Sequence, residues 1–275
     1  MKLYLKTKDF LITGEEFQLE YNSDLDMLVT KPQPENLDLY YESDAYISHS
    51  DASVSFLDKI YQIVKKYSIQ KKVSLINSYA VSNKNVLDVG AGTGDFLLGA
   101  KNAGWQVCGM EPNTTAITKA LEKGIILYPD FSQLQNKKFN VITLWHVLEH
   151  LPNLDDQIQN LKNLLIENGT LIIAVPNYKS FDAKWYKENW AAYDVPRHLW
   201  HFSRTSISKL FKKHNMEVVK TKPMWFDSFY VSILSEEHQP GSKNIFRAFI
   251  VGLWSNIRAL FNKECSSVIY ILKKS

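Results

Sequence analysis

Cysteine is nearly missing from this chain: two in 275 residues, Cys108 and Cys265. They lie far apart in sequence, which excludes a disulfide framework and a paired-cysteine metal site. Cys108 falls in an apolar strand pattern and reads as a buried thiol. Long apolar runs are missing too. None approaches the ~18 residues of a membrane span, and Met1–Phe10 carries charges where a signal peptide would have its apolar core. An excess of one charge is also lacking, with 32 Lys+Arg against 29 Asp+Glu and a net charge of +3. No basic run exceeds two adjacent residues, so no nucleic-acid partner is expected. These absences lead to an expectation of a cytoplasmic globular protein without stable membrane insertion. Hydrophobic content of 45% and charge of 22% are ordinary for that class.

Glycine is sparse, 11 in all, yet Gly90, Gly92 and Gly94 stand at alternate positions directly after the apolar run Val86–Val89. Phe96, Leu97, Leu98 and Ala100 follow with helical spacing. The pattern predicts strand, tight loop and helix, with glycine where the backbone turns sharply and a ligand lies against it. A dinucleotide fingerprint needs glycine at the sixth position of the loop, and Asp95 stands there. A phosphate-cradling loop ends in Gly-Lys-Ser/Thr, which is absent here. Asp88 and Asp95 flank the loop and would repel a pyrophosphate at the helix N-terminus. A ligand with a cationic end suits them better.

The run Asp88-Val89-Gly90-Ala91-Gly92-Thr93-Gly94 resembles motif I of the class I S-adenosylmethionine-dependent methyltransferases, an acid followed by x-G-x-G-x-G. The resemblance implies S-adenosylmethionine as cofactor and S-adenosylhomocysteine as product, held by Asp88, Gly90, Ala91, Gly92, Thr93 and Gly94. Glu111 ends the next strand, 23 positions (111 − 88) beyond Asp88, near the ~20-residue offset at which an acid meets a ribose. With Pro112 it resembles motif II. The resemblance further implies Asp130 and Phe131 for the adenine, and Trp145 and His146 beside the cofactor. Short strands, Pro32-Gln33-Pro34, Tyr40-Tyr41, Tyr46 and Ser48-His49 precede the first helix. That order is similar to the bacterial methyltransferases close to the ubiquinone-biosynthesis O-methyltransferases. Many of those carry zinc knuckles in the first segment. No cysteine precedes Cys108 here, so packing must hold that segment and no zinc is expected.

The remaining pattern alternates strand and helix. A helix capped by Asp51 or Ser53 runs through Val64, and a second runs from Ser68 to Tyr79. Strands are expected at Trp105–Met110, Ile125–Tyr128, Phe139–Trp145 and Thr170–Asn177. Asn113 caps one intervening helix, and Asn168-Gly169 closes another. This predicts an α/β fold, doubly wound, with a mainly parallel seven-stranded Rossmann-like sheet, helices on both faces and a small N-terminal β extension. The expected organisation is a β unit at 1–35, a helical arm or flap at 36–80, and a cofactor-binding domain at 81–275. The spacing His146-x-x-Glu149-His150 matches an inverted zinc-protease motif, but it follows a strand directly and Pro152 cuts it short. No metal is expected. Some relatives carry glutamate where His146 stands, and a few RNA methyltransferases bind metal through that segment. The departure here argues against metal-assisted chemistry, and His146 is expected to pack near the sulfonium and adenine.

Residues 178–203 mix aromatic and polar side chains and are expected to form a substrate insertion in place of core. Within it, His198 first and His201 second are candidate general bases for a hydroxyl acceptor. Arg197 would anchor an anionic substrate, with Tyr193 and Trp200 beside it. Glu217–Lys220 and Ser267–Leu272 read as the last strands. Between them, at 243–263, lies an apolar helical stripe. Its plain reading is a core-covering helix; a lid, a homodimer contact and a membrane-surface helix are the others. The function expected is methyl transfer to a small-molecule acceptor, a hydroxyl in preference to nitrogen or carbon. The alternatives are a catalytically silent S-adenosylmethionine-binding protein and, behind it, a nicotinamide-dependent oxidoreductase.

Overall fold

The computed structural model describes residues 1–40, 56–80, 84–135, 137–241 and 243–275. The expected flap residues Tyr41, Tyr46 and His49, and the helix caps Asp51 and Ser53, lie outside the described residues. Among the described residues, eleven strands form two sheets. β1 (Lys2–Lys8), β2 (Glu16–Asn22) and β3 (Met27–Lys31) form an antiparallel meander, joined at its edge by β9 (Trp200–His201). The larger sheet contains β4 (Asn85–Val89), β5 (Gln106–Met110), β6 (Leu127–Tyr128), β7 (Phe139–Trp145) and β8 (Leu165–Pro176). It is completed by β10 (Met216–Pro223) and β11 (Ser267–Lys274), in the order β10-β11-β8-β7-β4-β5-β6. β4 pairs in parallel with both β5 and β7, and β5 with β6. Val86, Leu87 and Val89 are fully buried, the continuous apolar run of a strand covered on both faces. The chain winds outward from β4 through β5 and β6, then returns to the other side of β4 with β7. That reversal is the topological switch point beside which α/β sheets bind ligands.

The chain forms two compact units. One comprises residues 47–145, 155–173 and 271–275. Its helices are α1 (Phe56–Asn77), α2 (Asp95–Asn102), α3 (Thr114–Glu122) and α4 (Leu154–Leu164). α1 is one continuous helix where two were expected, because Ser68 interrupts neither the apolar spacing nor the backbone ladder. A Cβ at Gly99 would stand 2.9 Å from Ile69 Cγ2, so α1 approaches α2 too closely for any other residue there. Asn113 caps α3 by accepting from the Ala116 N–H, as expected. α4 stops at Leu164, before Asn168-Gly169, and β8 begins at once with Leu165. Its branched Ile166, and the apolar run that follows, favour the strand earlier than the glycine suggested.

The other unit comprises residues 1–46, 146–154 and 174–270. Its first segment holds three strands rather than the two expected. Phe17, Leu19 and Leu28 from that meander pack with Tyr178, Tyr186, Trp190, Tyr193 and Val195. Residues 178–203 are therefore largely core, not an exposed insertion. The polar groups interleaved with the aromatics are what allow this. Trp190 Nε1 donates to Asp182 at 2.8 Å, and Ser255 and Ser266 donate to the same carboxylate at 2.6 and 2.7 Å. α5 (Phe181–Tyr186), α6 (Arg204–Lys213), α7 (Asp227–His238) and α8 (Ile245–Asn262) complete the unit. Ser203 and Ser206 form a reciprocal cap for α6.

α8 covers the core as its plain reading has it, but with a narrow face that includes Val251 and not with its large apolar side chains. Ala248, Gly252, Ser255 and Ala259 face inward, and a Cβ at Gly252 would stand 2.9 Å from Phe229 Cδ1. Its large side chains face outward: Phe246 is 73% and Phe261 84% exposed. Small residues give the closest approach to α7, so size rather than hydropathy selects the buried face.

Candidate active site

In the parallel part of the sheet, Gly90, Glu111, Asp130 and Trp145 all stand at or just beyond the carboxyl ends of β4, β5, β6 and β7. Gly90, Gly92 and Gly94 take φ of 70°, 53° and 76°, the left-handed region that other residues avoid. A Cβ at Gly92 would meet nothing within 4 Å, so the backbone lies bare beside open space. The Glu111 carboxylate reaches back over this loop and accepts from the Gly92 N–H at 2.9 Å and the Asn113 N–H at 3.1 Å. Two backbone donors fix the carboxylate, and each oxygen keeps a further lone pair for a hydroxyl. Asp130 is exposed and caps the turn at Phe131–Leu134 through the Ser132 N–H at 2.7 Å; the Ser132 hydroxyl, and then that N–H, lower its pKa. Ala91, Thr93 and Phe131 are half-buried, and Pro112 is exposed.

The two acids expected to favour a cationic ligand are engaged differently. Asp88 is 3% exposed and accepts from Thr143 Oγ1 at 2.6 Å. Burial pushes its carboxyl up to about 7, against the pull of that hydrogen bond and of Lys72. Asp95 is paired with Lys65 at 2.7 Å and Lys123 at 2.6 Å. Burial opposes its charge, yet the two lysines hold it below the ordinary carboxylate range. Its negative charge is thus met within the protein. Trp145 offers its indole instead: Phe96 packs edge-on at 5.7 Å, and the Lys72 ammonium lies 4.6 Å from the ring centroid. A cation thus already rests on this aromatic face. Lys72 escaped the sequence reading, since one lysine among several on a helix carries no signal.

The second cluster lies in the unit built on the meander. His146 follows β7 in a left-handed conformation, φ 58°, so the segment is not the helix an inverted zinc-protease motif needs. Its Nε2 lies 3.0 Å from Asp227 and its Nδ1 3.5 Å from Glu149. Burial opposes its positive charge, but those carboxylates push its pKa up to about 10. Leu148–His150 is a single tight turn. The Leu199 N–H donates to the Glu149 carbonyl at 2.8 Å, and Trp200 Nε1 to the Leu151 carbonyl at 2.9 Å. These two bonds bring the Pro196-Arg197-His198 segment against the turn. Glu149 is 1% exposed. Its burial opposes ionisation, while the surrounding histidines hold its carboxyl low. For His150, burial and the His198 charge lower the pKa to about 4.

Of the candidate bases, His201 is enclosed: its Nε2 lies 3.0 Å from Thr30 Oγ1, and burial drives its pKa well down. His198 has its Nδ1 2.9 Å from the Ala192 carbonyl. A carbonyl only accepts, so Nδ1 donates to it, while Nε2 lies 4.0 Å from Asp194 Oδ2. Arg197 is fully buried, donating to Asp9 at 2.8 Å, to Asp194 at 2.7 and 2.9 Å and to the Tyr40 carbonyl at 3.0 Å. Its charge is committed inside the protein instead of at a pocket wall. Tyr193 is likewise interior, and Trp200 is half-buried with its N–H engaged.

A sheet of this order, a left-handed glycine loop after its first parallel strand and an acid fixed over that loop define a Rossmann-like domain for a nucleoside cofactor. A family model described as methyltransferase domain matches residues 61–221, more than half of the chain, and the chain belongs to that family. Curated relatives include ubiquinone biosynthesis O-methyltransferases from Glaesserella parasuis, 33% identical over 34% of this chain and 46% of the relative, and Rickettsia felis, 31% identical over 48% and 58%. The chain thus spans about half the length of the curated relatives it matches. Among solved structures, the magnesium protoporphyrin IX methyltransferase of Synechocystis with bound S-adenosylhomocysteine aligns over 86% of this chain and 97% of its own. Its TM-score is 0.57 at 16% identity. A methyltransferase from Archaeoglobus fulgidus gives a TM-score of 0.53 at 16% identity, over 80% of this chain and all of its own. At such identity the likeness is one of fold.

Proposed function

We propose that this protein transfers a methyl group from S-adenosylmethionine to a hydroxyl of a small-molecule acceptor. The observation that carries the reading is the Gly90–Gly94 loop, bare on its open side, with the Glu111 carboxylate fixed over it by the Gly92 N–H. When bound, the cofactor supplies a methyl group on a sulfonium carrying good leaving-group character. The chain's own residues suit such a ligand. Glu111 accepts vicinal ribose hydroxyls, and Gly92 lets a ligand lie against the backbone. Trp145 presents an aromatic face on which a cation is at home. Asp130, exposed and ionised, is available to an exocyclic amine. The Lys123 ammonium beside the loop is spent on Asp95 and Thr93, and the Gly-Lys-Ser/Thr sequence that cradles a pyrophosphate is missing.

The names of the curated relatives, ubiquinone biosynthesis O-methyltransferases, support a hydroxyl over nitrogen or carbon. Of the two candidate bases, His201 is committed to Thr30, which leaves His198 as the candidate for a general base. Calorimetric titration of the purified chain with S-adenosylmethionine, S-adenosylhomocysteine and NAD tests the reading. Binding of the first two should be weakened by Glu111→Ala and lost in Gly92→Val, with none for NAD. Binding of NAD alone would overturn it. Turnover to S-adenosylhomocysteine with a hydroxylated acceptor separates an enzyme from a silent binding protein.

A further inference from the structure

The outer face of α8 carries apolar surface that the fold does not cover. Nine of its large apolar side chains are at least 36% exposed. Phe246, Phe249, Leu253, Trp254, Ile257 and Phe261 recur at helical spacing, so they form one strip along the face opposite the buried Ala248, Ser255 and Ala259. Monomeric proteins rarely expose a contiguous apolar area of this size, and one rimmed by polar groups marks an interaction surface. Trp225, just before α7, stands beside the strip, where its carbonyl accepts from Asn256 Nδ2 at 2.9 Å. Its indole is exposed, as is that of Trp254. Indoles favour the boundary between lipid chains and headgroups, being apolar in body with one polar N–H.

The charge along this helix is of one sign. Residues 243–263 contain Lys243, Arg247, Arg258 and Lys263 and no acid. Arg247 and Arg258 stand 11 positions (258 − 247) apart, three helical turns, and so rim the strip on the same side. Two of the cations are met by acids of α7: Glu236 pairs with Arg247 at 2.6 Å, and Glu237 with Lys243. Glu264, the first acid after the helix, accepts from the Asn177 amide at 2.7 Å. Arg258 and Lys263 are exposed. The first lies over the Phe181 ring at 5.4 Å and the second donates to the Leu260 carbonyl at 2.9 Å, so neither pairs with a carboxylate among the described residues. We infer that α8 docks this protein on an anionic lipid surface, lying flat with its strip at the acyl boundary and Arg258 and Lys263 among the headgroups. Among the described residues no helix is long and apolar enough to cross a membrane, so the contact is one of surface. A second copy fits this face less well, because an antiparallel two-fold pairing of α8 would bring the arginine flanks of both copies together.

The docking is tested with the whole chain and without S-adenosylmethionine, so the outcome does not depend on the cofactor reading. Protein is floated through a density gradient with vesicles of phosphatidylcholine mixed with phosphatidylglycerol, and with vesicles of phosphatidylcholine alone. The chain should rise with the anionic vesicles and bind the neutral ones more weakly. Replacing two exposed aromatics together, Phe246→Ser with Phe261→Ser, should weaken partition by more than roughly tenfold, since affinity scales with the apolar area buried. Arg258→Gln with Lys263→Gln should weaken binding to the anionic vesicles by about 25-fold, roughly fivefold per charge, and leave binding to the neutral ones unchanged. All four positions are exposed, so both double variants should keep the wild-type circular dichroism and unfolding midpoint, which separates lost docking from lost fold. Absence of flotation with the anionic vesicles would overturn the proposal. So would equal partition of the wild type and both double variants, or sedimentation showing that two copies bury the strip in a dimer that ignores vesicles.

Discussion

Replacing Asp88 by asparagine should stabilise this protein at alkaline pH and change little at acid pH. The carboxyl lies under the glycine loop, 3% exposed, with Thr143 as its hydrogen-bond donor. Burial raises its pKa from the ordinary 3.8 to about 7. The folded form therefore holds a proton that the unfolded chain has released, across the interval from about 4 to 7. Stability from this group is fully present below pH 4 and drains away as pH rises through 7. At roughly 1.4 kcal/mol per pH unit, the interval corresponds to about 4 kcal/mol. The substituted amide would remain neutral and still accept from Thr143. Urea unfolding of wild type and Asp88→Asn at pH 4 and pH 8 should show nearly equal stability at the first. At the second, the variant should lead by about 2–4 kcal/mol, allowing for relaxation around the site. A ligand that brings positive charge near Asp88 favours its ionised form, so wild-type affinity for S-adenosylmethionine should tighten from pH 6 to 8 and that of the variant should not. A stability difference independent of pH, or a variant weaker at pH 8, would refute the account of Asp88 as a buried, reluctantly charged acid.

The remaining expectations concern packing and backbone. Gly92→Val meets no atom near its Cβ and costs roughly 1–2 kcal/mol for the left-handed backbone, so the chain should fold while cofactor binding, read by calorimetry, disappears. Gly109→Ala would place a Cβ 2.3 Å from Leu127 Cδ2 and 2.6 Å from Leu97 Cδ1; thermal unfolding should show a loss of about 1–3 kcal/mol, with cofactor affinity retained in the folded fraction. Arg197→Ala leaves Asp9 and Asp194 without their buried cation and should cost roughly 3–5 kcal/mol, seen as a lowered unfolding midpoint and not as a selective rise in KM for an anionic acceptor. Phe261→Ser, at an 84% exposed position, should alter stability by no more than about 0.5 kcal/mol in the same assay.

The larger sheet and the glycine loop were legible because local chemistry determines them. An apolar run of strand length, followed by glycines that alone tolerate φ above zero, specifies strand, loop and helix without reference to distant residues. Each later strand repeats that local logic, and the right-handed crossover rule arranges them. Even the position of Glu111 follows from strand geometry, because the ends of adjacent parallel strands lie at one edge. What the pattern did not reveal at this edge is how the charges are spent. Asp95 reads as a free acid until Lys65 of α1 and Lys123, just past the end of α3, are placed against it.

The unit built on the meander was misread for the converse reason. Its core is assembled from segments more than 150 positions apart, such as Leu19 with Tyr186 and Asp26 with Tyr178. No periodicity within residues 178–203 announces that their aromatics have an apolar sheet waiting. Polar residues among those aromatics suggested a wet loop, yet Asp182, Asp194 and Arg197 are interior groups that satisfy tryptophan, serine and one another. The same error concealed Glu149. In sequence it is one acid in a Leu-Glu-His run. Only when His198 arrives from the far side of that aromatic core does its carboxylate stand among three histidines, which hold it ionised despite its burial.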